Sequence, residues 1–169
     1  MNVPQTEPLK QRHSILIVDD EESILNAFRR ILADEDYEIH TASDGQEGLN
    51  KLRAAQKPFS LIISDQRMPV MNGVQFFAAA KDIFPDAVRI LLTGYADTDA
   101  IIDAINKGGI HLYFTKPWRE EELLAHIKQS LYKTELLMEN KRLIELIKRQ
   151  NDELLNLNKT LEEKVRPVS

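Results

Sequence analysis

The chain has 169 residues with no cysteine, 43% hydrophobic residues and a formal net charge of −5 at pH 7. This length and apolar content suffice for one domain with a buried core plus an appendage, which argues against disorder of the whole chain. The lack of cysteine excludes disulfides, thiolate catalysis and cysteine-ligated zinc, and the acidic balance argues against direct binding to nucleic acid.

Strand-like and helix-like stretches alternate along the chain after a polar tail with two prolines over residues 1–13. Short branched or alternating apolar stretches predict five strands, over residues 14–18, 37–42, 59–64, 87–93 and 110–115. A segment with apolar residues at helical spacing follows each strand, and the fifth such helix begins near Arg119. Asp44 and Asp97 are suited to open the second and fourth helices, and Gly108 is suited to end the fourth.

The regular alternation of strands and helices predicts an α/β fold. The first, third and fourth strands are nearly continuous apolar runs, which is typical of parallel strands covered on both faces. We therefore predict a five-stranded parallel sheet, doubly wound by helices. In such a sheet the C-terminal ends of all strands lie along one edge, and ligands bind outside that edge.

Polar side chains stand at four of the predicted strand ends. Asp19 and Asp20 follow the first strand, Asp65 follows the third, Thr93 ends the fourth and Lys116 follows the fifth. Carboxylates gathered at one edge would repel each other, and a hard divalent cation such as Mg²⁺ relieves that repulsion. An aspartate beside Mg²⁺, a hydroxyl and an ammonium group is suited to phosphoryl transfer.

Each of these residues also has an ordinary structural interpretation. The acid pair could cap the first helix, Asp65 could begin a turn, Thr93 could be a strand residue and Lys116 could be a surface charge. Four such coincidences at one edge of one sheet are a poor joint explanation. The pattern therefore favours a phosphoryl-transfer site.

Four stretches, ILIVDDE, LIISDQRMPVMNG, ILLTGYAD and YFTKPW, resemble the receiver domain of two-component response regulators, a CheY-like family. The resemblance covers residues 14 to about 130. It implies that Asp65 accepts a phosphoryl group from a histidine kinase or a small phosphodonor. It also implies that Mg²⁺ is held by Asp19, Asp20, Asp65 and the backbone carbonyl of Arg67.

The resemblance further implies a conformational switch. Thr93 and Lys116 would contact the phosphoryl oxygens after transfer, and Tyr113 on the fifth strand would turn inward. The alternative for Tyr113 is a half-buried aromatic side chain that does not move. In this family the peptide bond between Lys116 and Pro117 is cis, which fits the general preference of cis bonds for proline.

Arg67 and Tyr95 occupy positions that tune the lifetime of the phosphoryl group in this family. Neither side chain is a small carboxamide or acid that could orient an attacking water, so we expect slow self-dephosphorylation. A phosphatase of the related aspartate-nucleophile type would need an acid where Arg67 stands. A scaffold that binds partners without phosphorylation remains the alternative function, although the complete set of acids, hydroxyl and lysine argues against it.

The sequence from Glu120 to Val165 contains no glycine or proline, which predicts that the fifth helix continues beyond the receiver, over residues 132–165. Two series of residues recur every seven positions in it: Asn140, Ile147, Leu154 and Leu161 at position a, and Leu136, Leu143, Gln150 and Leu157 at position d. This pattern predicts a coiled coil. We expect a parallel homodimer whose seam contains Asn140, Leu143, Ile147, Leu154, Leu157 and Leu161.

Two alternatives to that dimer stay open. A charged single helix or an interdomain linker is one, and a higher oligomer or antiparallel pair is the other, because Leu137, Ile144 and Leu146 widen the apolar stripe. After the short tail 166–169 no output module follows, so we expect either an output domain in cis in a longer parent or a stand-alone receiver. The stretch INKGGIHLYFTKPW is similar to the corresponding stretch of receivers that are joined to HD-GYP domains or to transcriptional activators.

The four histidines, His13, His40, His111 and His126, lack the i, i+4 spacing of a helical metal site and are predicted to be structural or surface residues. No segment approaches the ~20 apolar residues of a membrane span, and the first residues have no apolar signal-peptide core. We expect a cytoplasmic protein without a membrane or nucleic-acid partner.

Overall fold

Five strands form one parallel sheet in the computed structural model, which describes residues 12–94 and 98–165. The strands are β1 (His13–Val18), β2 (Tyr37–Ala42), β3 (Phe59–Asp65), β4 (Val88–Thr93) and β5 (Leu112–Thr115). Their order across the sheet is β2-β1-β3-β4-β5, and every neighbouring pair is parallel. The predicted doubly wound α/β fold is confirmed.

The helices are α1 (Glu22–Ile31), α2 (Gly45–Arg53), α3 (Gly73–Ile83), α4 (Thr98–Asp103) and α5 (Glu120–Val165). Asp44 opens α2 as predicted, because its carboxylate accepts a hydrogen bond from the backbone N–H of Glu47 at 2.7 Å. The predicted cap Asp97 lies outside the described residues.

Alternate residues of the inner strands point to opposite faces of the sheet, which explains their continuous apolar runs. Leu16 and Val18 of β1 pack toward α2 and α3, whereas Ile15 and Ile17 pack toward α1 and the first turns of α5. Two apolar clusters therefore cover the sheet, one on each face. This arrangement leaves the ends of the strands as the place for polar side chains.

Four predicted strand boundaries differ from the structure, and one of them is the start of β4, at Val88 and not at residue 87. Strand β1 begins at His13, one residue inside the predicted tail, and β3 extends through Asp65. Strand β5 begins at Leu112 and not at residue 110, because the backbone N–H of Ile110 still bonds to the carbonyl of Ala104. The fourth helix also differs, since its last turn, Ala104–Gly108, is a π-helical turn closed by Gly109 at φ 61°.

The chain divides into two units after Leu131. The first unit contains the sheet, and in the second the described residues all belong to helix α5. Within the two described ranges, no helix is both long and apolar enough to cross a membrane.

Candidate functional site

The candidate site lies at the C-terminal edge of the sheet, where the strand order reverses between β1 and β3. Val18 of β1 is paired with Ser64 of β3, so the next residues, Asp19 and Asp65, stand side by side. Open parallel sheets bind ligands at such a reversal point. The fold therefore brings together two acids that are 46 positions apart in the sequence.

Asp19 is held by the backbone on both sides. Its N–H donates to the carbonyl of Ala42 at 3.1 Å, and its carboxylate accepts a hydrogen bond from the N–H of Glu21 at 2.9 Å. Glu21, and neither Asp19 nor Asp20, occupies the N-cap position of α1. The structural interpretation of the acid pair as a simple helix cap therefore does not account for it.

Asp65 ends β3 and is followed by a loop that closes on itself. The N–H of Gln66 donates to the carbonyl of Leu92 at 2.9 Å, and the side-chain oxygen of Gln66 accepts from the N–H of Val74 at 3.1 Å. The N–H of Gly73 donates to the carbonyl of Gln66 at 3.0 Å. These bonds fix the backbone that follows the Asp65 carboxylate.

Lys116 bridges the two buried acids. Its Nζ lies 3.1 Å from Asp65 Oδ1 and 3.5 Å from Asp19 Oδ2. The backbone N–H of Lys116 donates to the carbonyl of Thr93 at 2.8 Å, which ties the end of β5 to the end of β4. The bond between Lys116 and Pro117 is cis, as the resemblance implied.

Burial and mutual repulsion govern the charges of the site. Burial raises the pKa of Asp19 to about 6, and the neighbouring Asp65 adds to the shift. Burial also raises the pKa of Asp65, against the opposing effect of Lys116. For Lys116 burial acts to lower the pKa, but Asp19 and Asp65 outweigh it, so the pKa stands above its usual value.

The donor set fits a hard divalent cation. One carboxylate oxygen from each of Asp19, Asp20 and Asp65 lies within 4.8 Å of the others, and Asp20 is exposed while the other two are buried. Within the described part of the chain, Asp19 Oδ2 and Thr93 Oγ1 are buried side-chain oxygens that make no hydrogen bond. Carboxylate oxygens with open lone pairs beside a solvent-facing acid are the ligands that Mg²⁺ prefers.

The remaining predicted residues are placed separately. Tyr113 lies on the edge strand β5 with 49% of its surface exposed, and Arg67 is exposed in the loop after β3. Tyr95 lies outside the described residues. On helix α5 the predicted seam residues are exposed: Asn140, Leu143, Ile147, Leu154, Leu157 and Leu161.

Sequence reasoning missed two residues that shape the site, Gln66 and Gly73. Gln66 is buried, and its side chain holds the start of α3. A Cβ added to Gly73 would lie 2.5 Å from the backbone oxygen of Asp65, so only glycine fits there without a shift. The glycine of the motif VMNG is the sequence signal for this close approach, but a glycine after an asparagine is also common in ordinary turns, so the motif alone does not indicate it.

The raised pKa of Asp19 predicts how the metal-free protein responds to pH. The folded state favours the protonated form of the Asp19 carboxyl. The contribution of this group to stability is therefore present below pH 3.8, its pKa in the unfolded chain, and is lost as pH rises through about 6, its pKa in the folded chain. In a metal chelator at pH 7, Asp19→Asn should therefore raise the free energy of unfolding by about 3 kcal/mol relative to the parent. Urea unfolding from pH 4 to 8 measures this, and a difference between the two proteins that does not change with pH would contradict it.

A family model for the response regulator receiver domain matches residues 15–128, and the chain therefore belongs to this family. It is similar to the hydrogenase transcriptional regulatory protein HoxA of Cupriavidus necator, with 37% identity over 118 residues that cover 70% of this chain and 24% of HoxA. Transcriptional regulatory protein GlrR of Escherichia coli is 34% identical over 118 residues, covering 69% of this chain and 26% of GlrR. The chain spans about a quarter of the length of these relatives.

Solved receiver structures share the fold. The signal receiver domain of an HD domain-containing protein from Pseudomonas fluorescens Pf-5 is 36% identical, with a TM-score of 0.70 over 74% of this chain and 98% of that domain. A structure described as adenylate cyclase from Rhodopirellula baltica has a TM-score of 0.72 at 31% identity, covering 80% of this chain and 98% of that one. The CheY-like resemblance predicted from the motifs is confirmed.

Proposed function

We propose that this receiver accepts a phosphoryl group on Asp65 from a sensor histidine kinase. The observation that carries the proposal is the 3.1 Å contact between Lys116 Nζ and Asp65 Oδ1, beside the acid cluster of Asp19, Asp20 and Asp65. An oxygen of Asp65 attacks phosphorus, the bond from phosphorus to the donor's histidine nitrogen breaks, and its electron pair returns to the imidazole. The ammonium group of Lys116 stabilises the charge that arrives with the phosphoryl oxygens.

Mg²⁺ would be held by Asp19, Asp20, Asp65 and the backbone carbonyl of Arg67, and it would neutralise charge on the phosphoryl oxygens. The Thr93 hydroxyl, buried at the end of β4, is a donor for the same oxygens once they arrive. Because Lys116 is hydrogen-bonded to Thr93 through its backbone, movement of either is passed to β5, which contains Tyr113. An inward turn of Tyr113 would then report the phosphorylated state at the edge of the sheet.

The test is incubation with acetyl phosphate and Mg²⁺, followed by intact mass measurement. The parent chain should gain one phosphoryl group, and Asp65→Asn should gain none. Asp152→Asn is the matched control, because Asp152 is an exposed carboxylate on α5 and its loss should leave the addition unchanged. An unmodified parent chain would favour the scaffold function, and a phosphoryl group retained in Asp65→Asn would assign another acceptor.

The second part of the proposal concerns residues 132–165, which we assign to a parallel homodimeric coiled coil after the receiver of residues 14–131. The apolar seam residues are 44% to 57% exposed in the single chain, so their burial needs a partner surface. Parallel alignment places Asn140 opposite Asn140 and Gln150 opposite Gln150, so polar residues meet polar residues in the seam. In an antiparallel pair, polar residues meet polar residues only in the register that places Asn140 opposite Gln150.

The proposed role of this helix is to relay the state of the receiver to an output domain in cis. The curated relatives support this, since each is about four times as long as the segment that it shares with this chain. Two receivers joined by one coiled coil would present two output modules side by side.

A further inference from the structure

Gln66, the residue directly after Asp65, makes three hydrogen bonds to other elements of the fold. Its N–H donates to the carbonyl of Leu92 at 2.9 Å. Its backbone carbonyl accepts from the N–H of Gly73 at 3.0 Å, and its side-chain oxygen accepts from the N–H of Val74 at 3.1 Å. The residue is thus fixed on one side to strand β4 and on the other to the first turn of helix α3.

The two bonds from Gln66 to helix α3, here called the Gln66 clamp, satisfy N–H groups that the helix cannot satisfy itself. The first N–H groups of an α-helix have no partner within the helix. The N-cap residue, Asn72, accepts from the N–H of Gln75 at 2.9 Å. The two N–H groups before that one are left to Gln66, which is only 8% exposed. Helix α3 and the segment after Asp65 are therefore held as one unit.

The loop that the clamp closes has an irregular backbone. The N–H of Met71 donates to the carbonyl of Pro69 at 2.7 Å, which forms a γ-turn around Val70. Val70 has a φ of 70° and a fully exposed side chain. Loops with few buried contacts open readily, so the bonds that join the two ends of this loop matter for its order.

Gln66 stands in the chain between two residues that we propose as ligands of Mg²⁺. Asp65 would supply a carboxylate oxygen, and Arg67 would supply its backbone carbonyl. Because a single residue separates them, the backbone torsions of Gln66 determine how far apart the two groups lie. Mg²⁺ demands nearly ideal octahedral geometry and is therefore sensitive to that distance.

We infer that Gln66 is a positioning residue of the magnesium site, and that Mg²⁺ binding and the clamp on α3 stabilise each other. This inference rests on the proposed acceptance of phosphate by Asp65 with Mg²⁺. Gln66 acts by holding the backbone between Asp65 and Arg67 in one conformation before the metal arrives. Residues that orient metal ligands in this way are worth about 10- to 100-fold in metal affinity. The coupling is reciprocal, so bound Mg²⁺ must also strengthen the clamp.

The first test compares two identical substitutions at the start of α3. Gln66→Met keeps the length of the side chain and removes the oxygen that accepts from Val74. Gln75→Met is the matched control, because the exposed Gln75 also accepts from a backbone N–H there, that of Asn72 at 3.0 Å. Titration with MgCl₂, followed by the amide signals in nuclear magnetic resonance spectra, gives the dissociation constant. It should rise about tenfold or more in Gln66→Met and change little in Gln75→Met.

The acetyl phosphate reaction distinguishes a positioning role from damage to the acceptor. In Gln66→Met the Mg²⁺ concentration that gives half of the maximal rate should rise with the dissociation constant, while the rate at saturating Mg²⁺ should approach that of the parent. A loss of rate that excess Mg²⁺ does not restore would overturn the inference, because the substitution would then disturb Asp65 itself. An unchanged dissociation constant in Gln66→Met, or an equal rise in both variants, would overturn it as well.

A measurement on the parent chain decides the matter even if Gln66→Met does not fold. If opening of the clamp is incompatible with bound Mg²⁺, hydrogen exchange at the amides of Gly73 and Val74 should slow by about elevenfold at a free Mg²⁺ concentration about ten times the dissociation constant. The amide of Gln75, which is bonded to Asn72, is the internal control and should change little.

The outcomes in the parent separate this inference from the proposed function. Exchange at Gly73 and Val74 that Mg²⁺ leaves unchanged, in a chain that binds Mg²⁺ and accepts phosphate, would overturn the inference and keep Asp65 as acceptor. Equal slowing at all three amides would also overturn it, since Mg²⁺ would then stabilise the whole domain and not the clamp. A parent that accepts no phosphate from acetyl phosphate would overturn the proposed function.

Discussion

Replacing Gly73 with alanine is expected to abolish phosphoryl acceptance and to lower the free energy of unfolding by about 1–3 kcal/mol, the usual cost of overpacking. The new methyl group would lie 2.5 Å from the backbone oxygen of Asp65 and 3.1 Å from the Cα of Gln66. Backbone atoms cannot rotate away as a side chain can, so the segment of Asp65 and Gln66 must move. Urea unfolding and the acetyl phosphate reaction measure the two effects.

Gly45→Ala is the matched control, because it also adds a methyl group at the start of a helix. There the closest atom is the sulfur of Met71, 2.7 Å away at the end of a flexible side chain. Met71 can change rotamer, so we expect a smaller loss of stability and normal phosphoryl acceptance. Equal behaviour of the two alanine variants would show that the contact with the Asp65 backbone is not what excludes a side chain at Gly73.

The second large effect is expected at Leu154, which lies at position a of the proposed seam. Leu154→Glu removes an apolar side chain from both copies at once, at about 1.5–3 kcal/mol each, and the dimer should dissociate about 10²- to 10⁴-fold more readily. Sedimentation at several protein concentrations gives the dissociation constant. A parent chain that sediments as a monomer at micromolar concentration would contradict the homodimer itself.

The neighbouring Leu155 provides the control for that experiment. It is 66% exposed in the single chain, against 57% for Leu154, but it lies at position b, outside the seam. Leu155→Glu should therefore leave the dissociation constant nearly unchanged. If both substitutions weaken the dimer equally, the seam is not the two-stranded one proposed, and a higher oligomer with a wider interface becomes the better account.

The fold could be predicted because the periodicity of its apolar residues is dictated by burial. Strand β2 was predicted at its observed bounds, and β1, β3 and β4 to within one residue. The start of β5 was missed because it depends on a π-helical turn and on the left-handed Gly109, and these arise from packing between distant segments. A sequence of apolar residues after two glycines cannot distinguish a strand from a loop that leads into one.

The acids, hydroxyl and lysine at the strand ends could be found in the sequence because the C-terminal ends of parallel strands must share an edge. The contacts of Gly73 and Gln66 could not, since they depend on how the loop folds back on Asp65. The conformation of Val70 could not be found either, because valine gives no sequence signal for a positive φ. The polar chemistry of the site thus follows from topology, whereas its loop geometry follows from tertiary packing.

The shared position of Lys116 between Asp19 and Asp65 has a consequence for the charge of the whole edge. When Asp19, Asp20 and Asp65 are all ionised, three carboxylates face the one ammonium group of Lys116, which leaves two negative charges uncompensated. One divalent cation cancels that excess, and a monovalent cation does not. Without it we expect the field of the edge to oppose the approach of a phosphate-bearing donor, so the proposed phosphoryl acceptance should require a divalent cation.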